Sequence, residues 1–308
     1  MNTGVVIKTT GSCHLVKDGN RIVRCKIRGI FREKNIKITN PVAVGDNVQY
    51  ESDNHDGGII TRIESRKNYI IRRSSNFSKE AHIIASNIDQ ALLMIAVSMP
   101  ETPLEFIDRF LLTAEAYHIP VVLIINKTDL ITKDKTEKLQ SFKQTYTFAG
   151  YTCIEMSVNE KKGIDSLIEI MRNKTNLLAG NSGVGKSSLI NLICPDMNLK
   201  TMDISVSHKT GKHATTYAEM IPLPSGGYII DTPGLRGFGI VDIEKNEIGL
   251  YFNDIFRISQ GCSFYNCTHI HEPGCAVRKA VENGILAPSR YQSYVNIFTD
   301  QNEKYRTG

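Results

Sequence analysis

Apolar and polar residues alternate along the first seventy positions, and then the rhythm changes. Val23, Cys25 and Ile27 are interleaved with Arg24, Lys26 and Arg28, which predicts a strand with one apolar and one cationic face. Lys17-Asp18-Gly19-Asn20 is a turn signal ahead of it. Gly45-Asp46 leads to Val48 and Tyr50, and Ile59-Ile60 and Ile63 follow Asp56-Gly57-Gly58. Several short strands over 1–70 predict a small β-barrel. An OB-type barrel is favoured, and an SH3-like barrel is the alternative. The polar stretch Arg72-Arg73-Ser74-Ser75-Asn76 reads as a linker.

Beyond it the pattern becomes α/β. Ala91 to Val97 is continuously apolar, as expected of a strand covered on both faces, and Leu104 to His118 follows at helical spacing through Ile107, Phe110, Leu111 and Ala114. Val121 to Ile125, Cys153 to Met156, Leu177 to Ala179 and Tyr228 to Ile230 are further buried strands, with a helix marked by Ile164, Leu167, Ile168 and Met171. A multidomain α/β chain results, its second region (71–237) a doubly wound, mainly parallel sheet. The last region, 238–308, is small and helical. Ile248, Tyr251, Phe252, Ile255 and Phe256 are expected on one helix face. Tyr291, Tyr294, Val295 and Phe298 are expected on another, after a Ser289 cap.

Charge and cysteines refine this picture. Of the net +5, all belongs to residues 1–70, where twelve Lys and Arg face seven Asp and Glu; an anionic partner for that barrel is expected. No apolar run approaches the ~20 residues of a membrane span, and the N-terminus lacks a secretory layout. A cytoplasmic monomer with no membrane association is expected. Seven cysteines are present; Cys25, Cys153 and Cys194 read as core, while Cys262, Cys267 and Cys275 crowd together. In a reducing compartment such clustering points to metal.

Each suspected ligand residue falls just past the carboxyl end of a strand, where open parallel sheets bind ligands. Gly180-Asn181-Ser182-Gly183-Val184-Gly185-Lys186-Ser187, continued by Ser188, has the glycines that turn backbone N–H groups toward phosphates. Its lysine meets the β/γ charge, and the Ser187 hydroxyl suits Mg2+. Asn126-Lys127-Thr128-Asp129 reads guanine. The Asp129 carboxylate accepts from the ring N1–H and the 2-amino group together, a donor pair adenine lacks. Asn126 reaches the other edge, and the Lys127 stem lies along the ring. Ser157 is a further base-side contact. Asp231-Thr232-Pro233-Gly234 supplies a carboxylate for Mg2+ and, at Gly234, an N–H to sense the γ-phosphate. Thr215 or Thr216 is the second hydroxyl on Mg2+; the residues do not choose between them. Leu235 stands where many GTPases carry a water-orienting glutamine, which leaves His213 as the candidate to hold the water. The guanine motif precedes the phosphate loop, so the simplest reading is a circularly permuted GTP-binding domain.

Cys262, Cys267, His269 and Cys275 offer three thiolates and one imidazole, a closed tetrahedral set for one structural Zn2+. His271 competes for the imidazole place. Bound metal would supply stability that so short a segment lacks.

With these residues in hand, the chain resembles the ribosome small subunit-dependent GTPase A family. The resemblance rests on the two nucleotide motifs in their inverted order, Gly211-Lys212-His213-Ala214-Thr215-Thr216, Asp231-Thr232-Pro233-Gly234 and the cysteine–histidine set. It implies an N-terminal OB domain, a permuted GTPase domain and a C-terminal zinc domain. It also implies GTP hydrolysis to GDP stimulated by the small ribosomal subunit, late in that subunit's maturation, with rRNA as the contact surface. It favours His269 over His271 and implicates His213 in hydrolysis. The family loop usually reads G-R-H-T-T-T; Lys212 and Ala214 depart from it, and the lost hydroxyl shifts the Mg2+ assignment to Thr215 or Thr216. The rival readings are an ATP-dependent enzyme borrowing the phosphate loop, a non-catalytic RNA-binding assembly module, and a translation factor on mature ribosomes. Because Asp231 to Gly239 leads straight into the last region, γ-phosphate loss at Gly234 is expected to reposition the zinc domain.

Overall fold

The computed structural model describes residues 1–27, 41–53, 57–73, 81–197, 218–231 and 243–299. Five strands open it: β1 (Asn2–Thr10), β2 (Cys13–Asp18), β3 (Arg21–Ile27), β4 (Asn47–Ser52) and β5 (Gly57–Ile63). Antiparallel pairs β1–β2 and β2–β3 are followed by a parallel β3–β5 pair. The antiparallel pairs β5–β4 and β4–β1 then close the ring. A closed five-stranded barrel with one parallel pair is the OB arrangement. Val6, Val16, Cys25, Val42, Val48, Tyr50 and Ile60 fill it. Gly58 makes that closure possible, because a Cβ there would lie 2.7 Å from the Tyr50 ring and 2.8 Å from Cys25 Sγ.

The stretch read as a linker is partly a strand. Arg72 and Arg73 belong to β6 (Tyr69–Arg73), which pairs with β7 (Ala81–Ser86). Polar composition concealed it, since a two-stranded ribbon needs only its inward residues to be apolar, here Ile70, Ile71 and Ile83. Fully buried Asp46 staples this ribbon to the barrel. Its Oδ1 accepts from Arg66 Nε and from Ser86 Oγ, both at 2.6 Å, and its Oδ2 accepts from Ala43 N at 2.8 Å.

The central sheet comprises β8 (Gln90–Ala96), β9 (Val121–Asn126), β10 (Thr152–Glu155), β11 (Lys174–Ala179), β12 (Glu219–Pro222) and β13 (Gly227–Asp231), in the order β10-β9-β8-β11-β13-β12. All neighbours are parallel except β12–β13. Alternate residues of β8 serve opposite layers. Ala91, Leu93 and Ile95 pack under α1 (Leu104–Ala116) and α2 (Thr136–Phe148); Leu92 and Met94 pack under α3 (Ile164–Met171) and α4 (Lys186–Ile193). The chain winds outward from β8 to β10 and then returns to β11 on the other side of β8, so the crevice between β8 and β11 is the topological switch point.

The last region carries a 3-10 turn (Lys245–Tyr251) and helices α5 (Asn253–Ser259), α6 (Ala276–Glu282) and α7 (Pro288–Thr299). Two sequence expectations need correction. The face from Ile248 to Phe256 is not one helix: Phe252 is extended (φ −98, ψ 92) and separates the turn from α5, leaving Phe256 exposed. Ser289 lies inside α7, which starts at Pro288, where proline's missing N–H costs nothing. The buried stripe of α7 is Arg290, Ser293, Tyr294 and Ile297.

Arg290 seats this region on the central domain. It is 2% exposed, and its Nη1 donates to Asp108 Oδ1 of α1 at 2.5 Å while Nε and Nη2 grip Asp254 of α5 at 3.0 and 2.9 Å. Tyr146 of α2 also donates to Asp108 Oδ1. A domain held by a buried ion triad to α1 does not swing away from α1 cheaply, since parting one partner from such a set costs about 3–5 kcal/mol. No helix among the described residues is long and apolar enough to cross a membrane.

Candidate nucleotide and metal sites

The phosphate loop joins β11 to α4. Gly180 (φ 142) lets the chain leave the sheet where a Cβ would stand 2.2 Å from the Met94 carbonyl, and Gly185 (φ 105) opens the helix. Asn181, Ser182, Gly183, Ser187 and Ser188 line the turn at intermediate or full exposure, while Val184 is buried as its anchor. Lys186 folds over the loop, its Nζ donating to the carbonyls of Gly180 (2.6 Å) and Asn181 (2.9 Å).

The guanine motif follows β9. Buried Asn126 donates from Nδ2 to the Val184 carbonyl at 2.8 Å and accepts at Oδ1 from Val158 N at 3.1 Å. One side chain therefore ties the Asn126–Asp129 turn, the loop from Gly180 to Ser187 and the turn after β10 together. Gly185 is required there too, since a Cβ would stand 2.5 Å from Asn126 Nδ2. Lys127 adopts the left-handed conformation (φ 63) and extends its stem to the Met99 carbonyl, 2.8 Å from Nζ; burial lowers its pKa, against the pull of Asp129. Thr128 is pinned through Oγ1 to the Met156 carbonyl. Fully buried Ser157 donates to Asp129 Oδ1 at 2.6 Å and accepts from Glu160 N, so it orients the carboxylate.

Asp231 ends β13 beside Leu178. Burial raises its pKa, and the Lys186 charge acts against that. His213, Thr215, Thr216 and Gly234 lie outside the described residues. Sequence reasoning missed Met99 and Met94, whose contributions are backbone carbonyls that no side-chain pattern announces.

In the C-terminal region the ligand atoms of Cys262, Cys267, His269 and Cys275 all lie within 4.8 Å of one another. His269 Nδ1 is 3.6 Å from both Cys262 Sγ and Cys275 Sγ. His271 is exposed and outside this group. Glu272, unnoticed in the sequence, shapes the loop by accepting from the N–H groups of Thr268, Ile270 and His271. Tyr291 and Tyr294 of α7 donate to the carbonyls of His269 and Thr268, both at 2.7 Å, which fixes His269 in its left-handed conformation (φ 62). Burial raises the pKa of Cys275 and lifts that of Cys267 to about 12, so the bare thiols are held protonated and a cation would be needed to draw the protons off. Four convergent soft donors form a candidate metal centre.

Known proteins agree with this layout. Residues 63–241 match the RsgA GTPase model, and residues 3–60 match the RsgA N-terminal domain model. The chain belongs to the RsgA GTPase family. It is 52% identical over 305 residues to the small ribosomal subunit biogenesis GTPase RsgA of Phocaeicola vulgatus, with 98% of each chain covered. Against the RsgA of Flavobacterium psychrophilum it is 47% identical, covering 99% of this chain and 95% of that one. Among solved structures, YjeQ from Thermotoga maritima superposes with a TM-score of 0.78 at 35% identity, covering 96% of this chain and 97% of that one. YloQ, a circularly permuted GTPase, gives 0.75 at 33% identity, covering 99% and 96%. This RsgA family member accordingly carries the permuted order: Asn126 to Asp129 comes first in the chain and Gly180 to Ser187 second, and the Asn126–Val184 hydrogen bond brings the two together.

Proposed function

We propose that this chain hydrolyses GTP to GDP and phosphate in the service of small ribosomal subunit maturation in the cytoplasm, docking on the subunit and its rRNA as a monomer. The observation that carries the nucleotide reading is the Asn126–Val184 hydrogen bond, which joins the guanine and phosphate motifs into one site. Asp129 selects the base, with Ser157 holding its carboxylate. Lys186 exchanges its two backbone carbonyls for the β- and γ-phosphates. Ser187 and Asp231, joined by Thr215 or Thr216, would hold Mg2+, which when bound supplies neutralising charge to the phosphates. Gly234 senses the γ-phosphate, and His213 orients the water in place of the glutamine absent at Leu235. The four-donor centre takes one structural Zn2+: three thiolates and an imidazole leave no open position for a reacting water.

The cationic strand face at Arg24 and Lys26 is exposed on the barrel and suits a phosphate backbone. The deciding experiment is multiple-turnover GTP hydrolysis with and without purified small subunits. Stimulation by the subunit, loss with Lys186→Ala, and no competition by ATP support the reading. Equal turnover with and without subunits, or competition by ATP, would refute it.

A further inference from the structure

Barrel and central sheet are one continuous sheet, and their join is chemically specific. Among the described residues, β1 meets β12 at a single register pair, Lys8 opposite Glu219. Glu219 is in turn opposite Asp231 across the β12–β13 pair. Lys8, Glu219 and Asp231 therefore form a row across three adjacent strands. Residues directly opposite in antiparallel strands share a face with their Cβ atoms about 5 Å apart.

The Lys8 end of this row is built deliberately. Regular alternation from Val6, which points into the barrel core, would turn Lys8 inward as well. A bulge between Val6 and Lys8 inserts one residue against β2, pairing Val6 with Val16 and Lys8 with Leu15. The extra residue, Ile7, packs with Val5 on the core of the central domain. Lys8 is turned out of the barrel, and its Nζ reaches Glu219 Oε2 at 2.8 Å with the two side chains 35% and 34% exposed.

Two carboxylates facing each other across adjacent strands repel, and this repulsion needs compensation. Glu219 is the carboxylate directly opposite Asp231 in this row. The row thus reads plus, minus, minus. Lys8 stands two strand spacings from Asp231, about 10 Å, where its direct effect is largely screened. Glu219 is one spacing away.

We infer that Lys8 of the barrel is a positioning residue for the nucleotide-bound cation: by neutralising Glu219 it sets the negative charge beside Asp231. Whatever draws Lys8 off Glu219 leaves a second, uncompensated carboxylate next to the metal and tightens its hold. This inference rests on the proposed role of Asp231 as a Mg2+ partner.

The test is a titration of the full-length protein, loaded with a non-hydrolysable GTP analogue, with Mn2+ read by electron paramagnetic resonance. Lys8→Ala is expected to lower the Mn2+ dissociation constant about two- to fivefold, and Glu219→Gln to raise it by a similar factor. In the Glu219→Gln background, Lys8→Ala should have little further effect. An unchanged constant in Lys8→Ala, or an equal shift in both backgrounds, overturns the inference. Asp231→Asn separates the two readings: if it leaves Mn2+ affinity untouched, the assignment of Asp231 has failed, whereas a loss there with no response at Lys8 rejects only the barrel link. Lys8→Arg, which keeps charge and fold, should restore the wild-type constant.

Discussion

The Ser157 hydroxyl donates to Asp129 Oδ1 over 2.6 Å, from a side chain with no solvent exposure. That single contact orients the carboxylate proposed to read the base. Asp129→Asn should reverse the preference: an amide offers a donor where guanine also has one, but pairs with the 2-oxo group of xanthine. Fluorescent nucleotide binding should show GDP weakened about 100-fold, with XDP gaining. A variant that still preferred GDP would place base selection elsewhere.

Asn126→Ala removes two hydrogen bonds at once and leaves the Val184 carbonyl and the Val158 N–H without their partner. Nucleotide affinity should fall about 10- to 100-fold at unchanged metal content, because each buried group left unsatisfied costs about 1–3 kcal/mol. Equilibrium dialysis with GDP checks this.

Replacing Arg290 with Met should destabilise the protein by about 3–5 kcal/mol, since Asp108 and Asp254 are left buried without their shared cation. Adding Asp108→Leu and Asp254→Leu should recover most of the loss. Denaturant melts of the single and triple variants decide whether the triad or the surrounding packing is responsible.

Chelation should release one metal ion per chain and uncouple Tyr291 and Tyr294 from the loop they fasten. Co2+ substitution should give the intense thiolate bands of a tetrahedral site. Cys267→Ser should halve the metal content or worse, and His271→Ala should leave it unchanged.

His14 is buried in the barrel with neither ring nitrogen hydrogen-bonded, and burial lowers its pKa against the pull of Asp46. The unfolded chain therefore takes up a proton that the folded chain refuses. Stability from this group is complete above the unfolded value of about 6.5 and is lost as pH falls through and below it. His14→Leu should flatten the acid side of the stability profile between about pH 7 and 5. An unchanged slope in urea melts would contradict this.

Much of this was legible because the chemistry is local. Phosphate loop, guanine turn and cysteine cluster are short strings whose spacing carries their geometry, and continuous apolar runs such as Ala91 to Val97 announced the central strands. The β6–β7 ribbon was hidden because Arg72 and Arg73 look like linker, and α2 because only Leu139, Phe142 and Tyr146 of its thirteen residues are buried. The break at Phe252 left no mark, since the apolar spacing runs through it. What no string could reveal were contacts across long separations: Asp46 with Arg66 and Ser86, Arg290 with Asp108, and the bulge that turns Lys8 outward.

The inverted motif order also has a consequence for synthesis. Chains emerge from the N-terminus, so Asn126, Asp129 and Ser157 leave the exit tunnel ahead of Gly180. The half proposed to recognise the base must then take shape without any ligand to template it, and the Ser157–Asp129 bond gives that nascent half a reason to hold its form. Nucleotide can first act as a folding partner only after the loop carrying Val184 has emerged to meet Asn126.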